Sequence, residues 1–243
     1  MQPLISIITV CYNSEKTIRR TIESVLAQDY EELEYIVVDG QSTDGTLAII
    51  KEYEPKFQGK MKWISEKDHG IYDAMNKGIR LSKGTLIGII NSDDYYEAKA
   101  VRNMANSMLD KPYQILYGYV RSERDGMECS IERQSHNILP EHMIAHPGCF
   151  VTKNIYEEFG MFDLQYKSVA DYDFMLRMYH NQKVTFVPVD FLVAHFTLGG
   201  MSGTNDAWLD LLKLKANYGL IPEKEYKKQV RRNKIYMLIK GTK

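Results

Sequence analysis

The first hundred residues predict an α/β fold, with a Rossmann-like, mainly parallel sheet carrying helices on both faces. Three observations support this. Short apolar runs suited to strands buried on both faces alternate four times with stretches whose apolar residues recur at helical spacing. Alternation of that kind implies right-handed crossovers and a doubly wound sheet. Polar or acidic residues end three of the runs, and in open α/β sheets the ligand crevice lies outside the carboxyl ends of the strands. Finally, neither GxGxxG nor GxxxxGK[ST] follows any run, which argues against a dinucleotide dehydrogenase or a P-loop ATPase.

In chain order, Ile5 to Val10 read as a first strand, and Asn13 or Ser14 is placed to cap a helix with apolar positions Ile18, Ile22, Val25 and Leu26. Leu33 to Val38 form a second strand ending at Asp39-Gly40, followed by a turn and a helix through Tyr53 that Pro55 and Gly59 close. Met61 to Ser65 predict a shorter strand leading to Asp68-His69-Gly70, and Ile71 to Leu81 a helix, with Gly84 marking the next turn. Leu86 to Ile90 form a buried strand that stops at Asn91-Ser92-Asp93-Asp94. Paired carboxylates at a strand tip suit a hard divalent cation, although they also make an ordinary solvated turn.

Beyond Ile115 the pattern is less regular. Tyr117 to Val120 and Cys129 to Ile131 predict short strands around a turn at Asp125-Gly126. His146-Pro147-Gly148 enters a strand through Val151, and Lys153 to Phe159 form a helix ended by Gly160. Ser168 is placed to cap a helix that carries Asp171 and Asp173 in or just before its first turn. A strand reading VTFVPV leads to His195 and a glycine-rich stretch over 198–203, which is either a lid over substrate or a surface loop. Two C-terminal helices follow, the second from about Glu223 to Ile239 and rich in Lys and Arg. A basic amphipathic helix either lies on an anionic leaflet or packs with its basic face in water.

Composition sets few limits. The chain has 243 residues, 44% of them apolar and 26% charged, as in ordinary globular proteins. With 31 basic against 32 acidic residues, no global field argues for nucleic acid. Cys11, Cys129 and Cys149 form no CxxC pair and read as core or near-core residues of a reducing compartment. The N-terminus runs straight into a strand pattern without signal-peptide features, and no apolar run approaches the ~20 residues of a membrane span. The expected location is cytoplasmic, with peripheral contact at the inner face of the cell membrane through 223–239 as an open alternative.

Taken together, PLISIITVCYNSEKTIRRTIESVLAQDY, EYIVVDGQSTDGT, EKDHGIYDAMNKGI and GIINSDDYY resemble a family 2 glycosyltransferase with the GT-A fold. The likeness continues more loosely through HPGCFV, FGMFDLQYKSVADYDFMLRM and HFTLGGMS. It implies a glycosyltransferase domain over 1–203, with a nucleotide-sugar half at 1–115, a mixed acceptor-binding half at 116–203, and a helical extension at 204–243. It further implies that Thr9 and Tyr12 edge the base and ribose, that Asp39 hydrogen-bonds the base, and that Asp68, Asp73 and Asn76 flank the nucleotide and donor sugar. Asp93 and Asp94 correspond to the DXD-type motif, with Asp93 reaching the ribose and Asp94 holding Mn2+ or Mg2+ on the diphosphate. Asp171 matches the general base, and Ala170 stands where many members carry a second acid. His195 matches a late metal or diphosphate ligand, and His146 a residue near the acceptor.

The implied activity is metal-dependent, inverting transfer of one hexosyl or N-acetylhexosaminyl unit from a UDP-sugar to a glycan or lipid-linked acceptor in bacterial surface polysaccharide synthesis. No QxxRW motif of processive synthases occurs. Two rival expectations are a sugar nucleotidyltransferase and an inactive nucleotide-sugar binding module. Several of these residues also have plain structural readings: Asp39 as a turn cap, Asp171 as a helix cap, His195 as a core histidine and Tyr12 as packing.

Overall fold

The computed structural model describes residues 2–199 and 204–241, with side chains as far as 236. The chain enters through β1 (Ile5–Cys11), α1 (Ile18–Leu26), β2 (Leu33–Asp39), α2 (Thr46–Tyr53), β3 (Met61–Ser65), α3 (Ile71–Leu81) and β4 (Leu86–Ile89). There follow β5 (Tyr95–Tyr96), α4 (Ala100–Asn106), β6 (Gln114–Arg124), β7 (Met127–Glu132), β8 (Cys149–Thr152) and α5 (Lys153–Phe159). The chain closes with α6 (Ala170–Tyr179), β9 (Thr185–Thr197), α7 (Asn205–Asn217) and α8 (Glu223–Gly241).

Among the described residues nine strands form one sheet in the order β3-β2-β1-β4-β8-β6-β9-β5, with β7 added to β6. The strands of the first half are all parallel, β1 lying between β2 and β4 and β2 pairing β3. From β4 onward the sheet is mixed: β8 runs antiparallel to both β4 and β6, while β6 and β9 are parallel. The alternating pattern thus gives the parallel half, and the irregular half completes the same sheet.

Side-chain alternation along the strands divides the core in two. Ile5, Ile7, Tyr35 and Val37 face a cluster shared with Ile18, Ile22 and Val25 of α1 and with Val101 and Met104 of α4. Ile8, Val10, Ile36 and Val38 face the other, which holds Met75 and Ile79 of α3 and Phe174, Leu176 and Met178 of α6. Leu214 of α7 is fully buried in this second cluster, and Asp210 accepts from the Lys167 and Ser168 amides at 2.8 and 3.1 Å. α7 therefore packs against the elements that precede residue 203.

Several local expectations change. α1 starts at Ile18 without a side-chain cap. Asn13, at φ 50°, instead accepts from Thr43 N at 2.8 Å, and Ser14 N donates to Thr46 Oγ1 at 2.7 Å. Those two residues therefore tie the β1–α1 loop to the β2–α2 loop. The start of α6 likewise lacks a side-chain cap, and Ser168 spends its amide on Asp210. β5 and α4 had no clear periodic signal. Cys11 and Cys149 are buried as expected, but Cys129 is exposed. It lies on β7, whose one described partner is β6, so the hairpin stands clear of the core. Its turn at Asp125-Gly126 is the expected one, with φ of 52° and 76°. Of the expected glycine-rich lid, residues 200–203 lie outside the described residues. Among the described residues no helix is long and apolar enough to cross a membrane.

Gly84 is required by close approach, since a Cβ there would lie 2.5 Å from Ser6 N and 2.8 Å from Leu4 O. Both neighbours are backbone of the central strand region and cannot rotate away. Gly84→Ala should destabilise the fold by about 1–3 kcal/mol, read as a lower urea midpoint with an unchanged m-value.

Candidate active site

A cleft of 1090 Å³ opens along the carboxyl edge of β1 and β4 and is closed on its far side by β6, β7 and the start of α6. Five residues expected at the site line it: Tyr12, Asp68, Asp93, His146 and Asp171. Tyr12 is 63% exposed at the end of β1. Asp68 accepts from Gly70 N at 3.0 Å, and its Oδ2 would lie 2.5 Å from a Cβ at position 40, so Gly40 makes room for it. One wall is the zipped pair of loops, reinforced where Glu15 N donates to Asp44 Oδ2 at 3.1 Å and Gly45 N to Glu15 Oε2 at 2.8 Å.

The paired acids after β4 occupy different depths. Asp93 lines the cleft, whereas Asp94 is fully buried beneath it. Asp94 Oδ1 accepts from Thr197 N at 2.8 Å, and among the described residues Asp94 Oδ2 has no hydrogen-bond partner. Burial raises both carboxyls above the usual carboxylate range; for Asp94 the Asp93 charge adds to it and the Thr197 amide opposes it. The turn itself is held firmly. Arg20 and Thr197 donate to Asp93 O at 2.9 and 2.7 Å, Thr21 donates to Asp94 O at 2.6 Å, and the Ser14 and Ser92 hydroxyls meet at 2.8 Å.

A buried carboxylate oxygen with no donor, beside a second carboxylate, suits a divalent cation. The fit is of the kind in which one or two protein carboxylates leave the remaining positions to water and substrate phosphate. No group of three or more acid, His or Cys side chains placed for a metal occurs among the described residues. His195 does not join the acids. Its Nδ1 meets Glu123 Oε1 at 3.0 Å, its Nε2 meets Glu97 Oε2 at 2.9 Å, and its ring stacks on Tyr95 at 4.1 Å. With both nitrogens taken by carboxylates, it is not free to ligate in this arrangement.

The other expected residues lie behind the cleft wall. Thr9 is fully buried, and its hydroxyl accepts from Tyr35 at 3.0 Å. Asp39 is also fully buried, accepting from Ser65 at 2.6 Å and from the Ser42 amide at 3.0 Å, with Cys11 beside it on the neighbouring strand. Asp73 takes the His69 amide at 3.0 Å, and Lys77 lies 3.6 Å away. Asn76 is consumed by a two-way clamp on the Phe162 backbone, donating to its oxygen at 2.9 Å and accepting from its nitrogen at 3.1 Å. Asn76 and Asp73 therefore brace the loops around the cleft and do not face into it.

On the far wall Asp171 occupies the first turn of α6, and its Oδ1 accepts from Tyr72 Oη at 2.7 Å and from the Tyr172 amide at 2.9 Å. His146 lines the cleft, and burial lowers it below the usual imidazole range, against an opposing pull from the Asp171 charge. Cys11 also lines it, but burial pushes its thiol far up, which leaves no thiolate to act as nucleophile. Lys16, Glu132, Arg133 and Gln134 complete a polar rim that the sequence had not marked. Arg133 had no visible signal because its place depends on Asp190, 2.6 Å away and 57 residues on.

The family model described as Glycosyl transferase family 2 matches residues 6–185. A PGL/p-HBAD biosynthesis glycosyltransferase of Mycobacterium tuberculosis is 28% identical over 205 residues, covering 83% of this chain and 80% of its own. Among solved structures, S. aureus TarS 1–349 in complex with UDP-GlcNAc superposes with a TM-score of 0.72 at 21% identity, over 91% of this chain and 69% of that one. Of a second crystal structure of TarS 1–349 the chain spans 62%. A mannosyltransferase from Pyrobaculum calidifontis, in complex with GDP-Man and Mn2+, gives 0.65 at 18% identity, over 92% and 66% of the two chains. These solved neighbours share the GT-A fold.

Asp94 provides a stability test of this site. Its folded-state pKa lies above the unfolded one, so at neutral pH ionisation favours the unfolded chain and acidification relieves that penalty. Asp94→Asn should raise the melting temperature at neutral pH, corresponding to about 1–3 kcal/mol. The gap to wild type should close as pH falls through the raised value. Equal melting at neutral pH would refute the raised carboxyl.

Proposed function

The chain belongs to glycosyl transferase family 2, and on that premise we propose a metal-dependent, inverting enzyme that moves one sugar from a nucleotide sugar, a UDP-sugar, to a glycan or lipid-linked acceptor. The setting we propose is bacterial surface polysaccharide synthesis. The observation that carries the reading is one cleft holding Asp93 above the unpartnered Asp94 Oδ2, and Asp171 on a separate element.

When an anomeric carbon–oxygen bond to a diphosphate breaks, negative charge grows on the leaving group. Mn2+ or Mg2+ held by Asp93 and Asp94, when bound, supplies Lewis-acid charge to that leaving group. Tyr12 and Asp68 flank the nucleotide, and Asp39, buried behind them, accepts from Ser42 and Ser65 and so shapes the loop on that side. An acceptor hydroxyl does not lose its proton unaided at neutral pH, and Asp171 takes it as general base. A base and a leaving-group site on different walls favour direct displacement with inversion, as two carboxylates divide labour in inverting glycosidases. The P. calidifontis neighbour holds a nucleotide sugar and Mn2+, which supports the metal in this reading.

The test is nucleotide diphosphate release from UDP-GlcNAc, UDP-glucose, UDP-galactose and GDP-mannose with Mn2+ and a set of glycan acceptors. Turnover of one donor is expected, with Asp171→Asn lowering kcat by about 10²–10⁴-fold. Thermal stabilisation by UDP and Mn2+ without any turnover would identify a binding module instead.

The membrane contact rests on α8, where Lys224, Lys227, Lys228, Arg231, Arg232 and Lys234 are exposed. The helix meets an anionic bilayer electrostatically, each cation near the surface adding about 1 kcal/mol. Sedimentation with phosphatidylglycerol vesicles should exceed that with phosphatidylcholine vesicles and fall as salt rises. Arg231→Glu with Arg232→Glu should abolish the difference.

A further inference from the structure

Asp171 is not held symmetrically. Its Oδ1 receives two donors, Tyr72 Oη at 2.7 Å and the Tyr172 amide at 2.9 Å, whereas Oδ2 receives none among the described residues. The first donor comes from 99 residues upstream, in the opening turn of α3. Tyr72 is 7% exposed, and its ring packs on Phe162 with centroids 5.5 Å apart. Phe162 is in turn the residue whose backbone Asn76 clamps. The tyrosine therefore has little freedom of its own. Burial first, and the Asp171 charge next, hold its hydroxyl well above the usual tyrosine range, so it remains an O–H donor.

We propose that Tyr72 is a positioning residue for Asp171: it occupies Oδ1 together with the α6 amide, fixes the carboxylate plane, and reserves Oδ2 for the acceptor proton. This rests on the reading of Asp171 as general base. A carboxylate at a helix start has two oxygens that exchange by rotation about its terminal bond, a broad and weakly restrained torsion. A second donor on Oδ1 removes that freedom. Proton transfer requires the base within hydrogen-bond reach and in line, and small misplacements there are costly.

The same contact joins two parts of the cleft. Tyr72 lies two residues after Gly70 and four after Asp68, both of which line the cleft beside Tyr12. Asp171 belongs to the opposite wall, next to His146. One rigid ring thus references the base to the segment proposed to flank the donor. A neutral partner does this without placing another charge against Asp171. Lys77, further along α3, is engaged by Glu66 at 3.0 Å and lies 3.6 Å from Asp73.

The test compares wild type, Tyr72→Phe and Asp171→Asn as full chains with Mn2+ and whichever of UDP-GlcNAc, UDP-glucose, UDP-galactose and GDP-mannose is turned over. Tyr72→Phe keeps the ring and its packing, so the melting temperature should stay within about 2 °C. The expected result is a kcat about tenfold lower with the donor KM within twofold, because binding is untouched and only the base is loosened. An unchanged kcat, or a raised KM with kcat intact, overturns the proposal while Asp171→Asn remains inactive. Turnover retained in Asp171→Asn instead overturns the reading of Asp171 as base. Crystal structures of wild type and Tyr72→Phe provide a readout independent of turnover. The variant should show the Asp171 carboxylate rotated or in two orientations, and an identical single orientation counts against the role assigned to Tyr72.

Discussion

A carboxylate sealed away from water, met by a single backbone amide, is the most demanding feature of this protein. Asp94 lies in the turn that follows β4, whose residues are all buried, and one of its oxygens has no partner among the described residues. Such a group is costly to bury, and the surrounding structure is arranged to keep it there. Thr197, Thr21 and Arg20 grip the backbone of the Asp93-Asp94 turn from β9 and α1. Arg20 also covers the face of Tyr95 at 4.2 Å, and Tyr95 in turn stacks on His195. His195, flanked by Glu97 and Glu123, is a fastener for the β5–β9 pairing behind this turn.

The sheet explains why two unlike halves make one cleft. A purely parallel sheet ends at its edge strand, and β4 would be that edge if the pattern of the first half simply stopped. β8 adds to β4 in the opposite direction, and β6 and β9 extend the sheet beyond it. The crevice expected at the carboxyl ends of the parallel strands thereby gains a second wall. Two side-chain ties keep that wall in place: Asn76 on the Phe162 backbone and Tyr72 on Asp171. Both start from α3, which packs directly beneath β1 and β2, so the far wall is referenced to the rigid centre of the sheet.

The division of labour among the acids follows from depth. Asp93, Asp68 and Asp171 can touch a ligand, whereas Asp39 and Asp73 spend their oxygens on serine hydroxyls and loop amides. A run of acids near strand ends therefore does not make each one a contact. Buried acids satisfied by local donors set loop shape, and the unsatisfied one marks where outside charge is wanted. The exposed Cys129 makes a similar point for apolar residues, since an alternating strand pattern does not reveal whether both faces are covered.

Periodicity and punctuation were enough to place the four parallel strands, the helices between them, the Asp125-Gly126 turn and the acid pair after β4. These signals are local: they depend on side chains a few residues apart and on strands buried from both sides. The family resemblance named Tyr12, Asp68, Asp93 and Asp171 among its candidates, and these line the cleft. The sequence could not say that Asn76 would face Phe162, that Tyr72 would reach Asp171, or that two glutamates would enclose His195. Those partners lie 86, 99, 72 and 98 residues apart. No propensity or spacing encodes contacts of that range, and only packing the second half of the sheet against the first decides them.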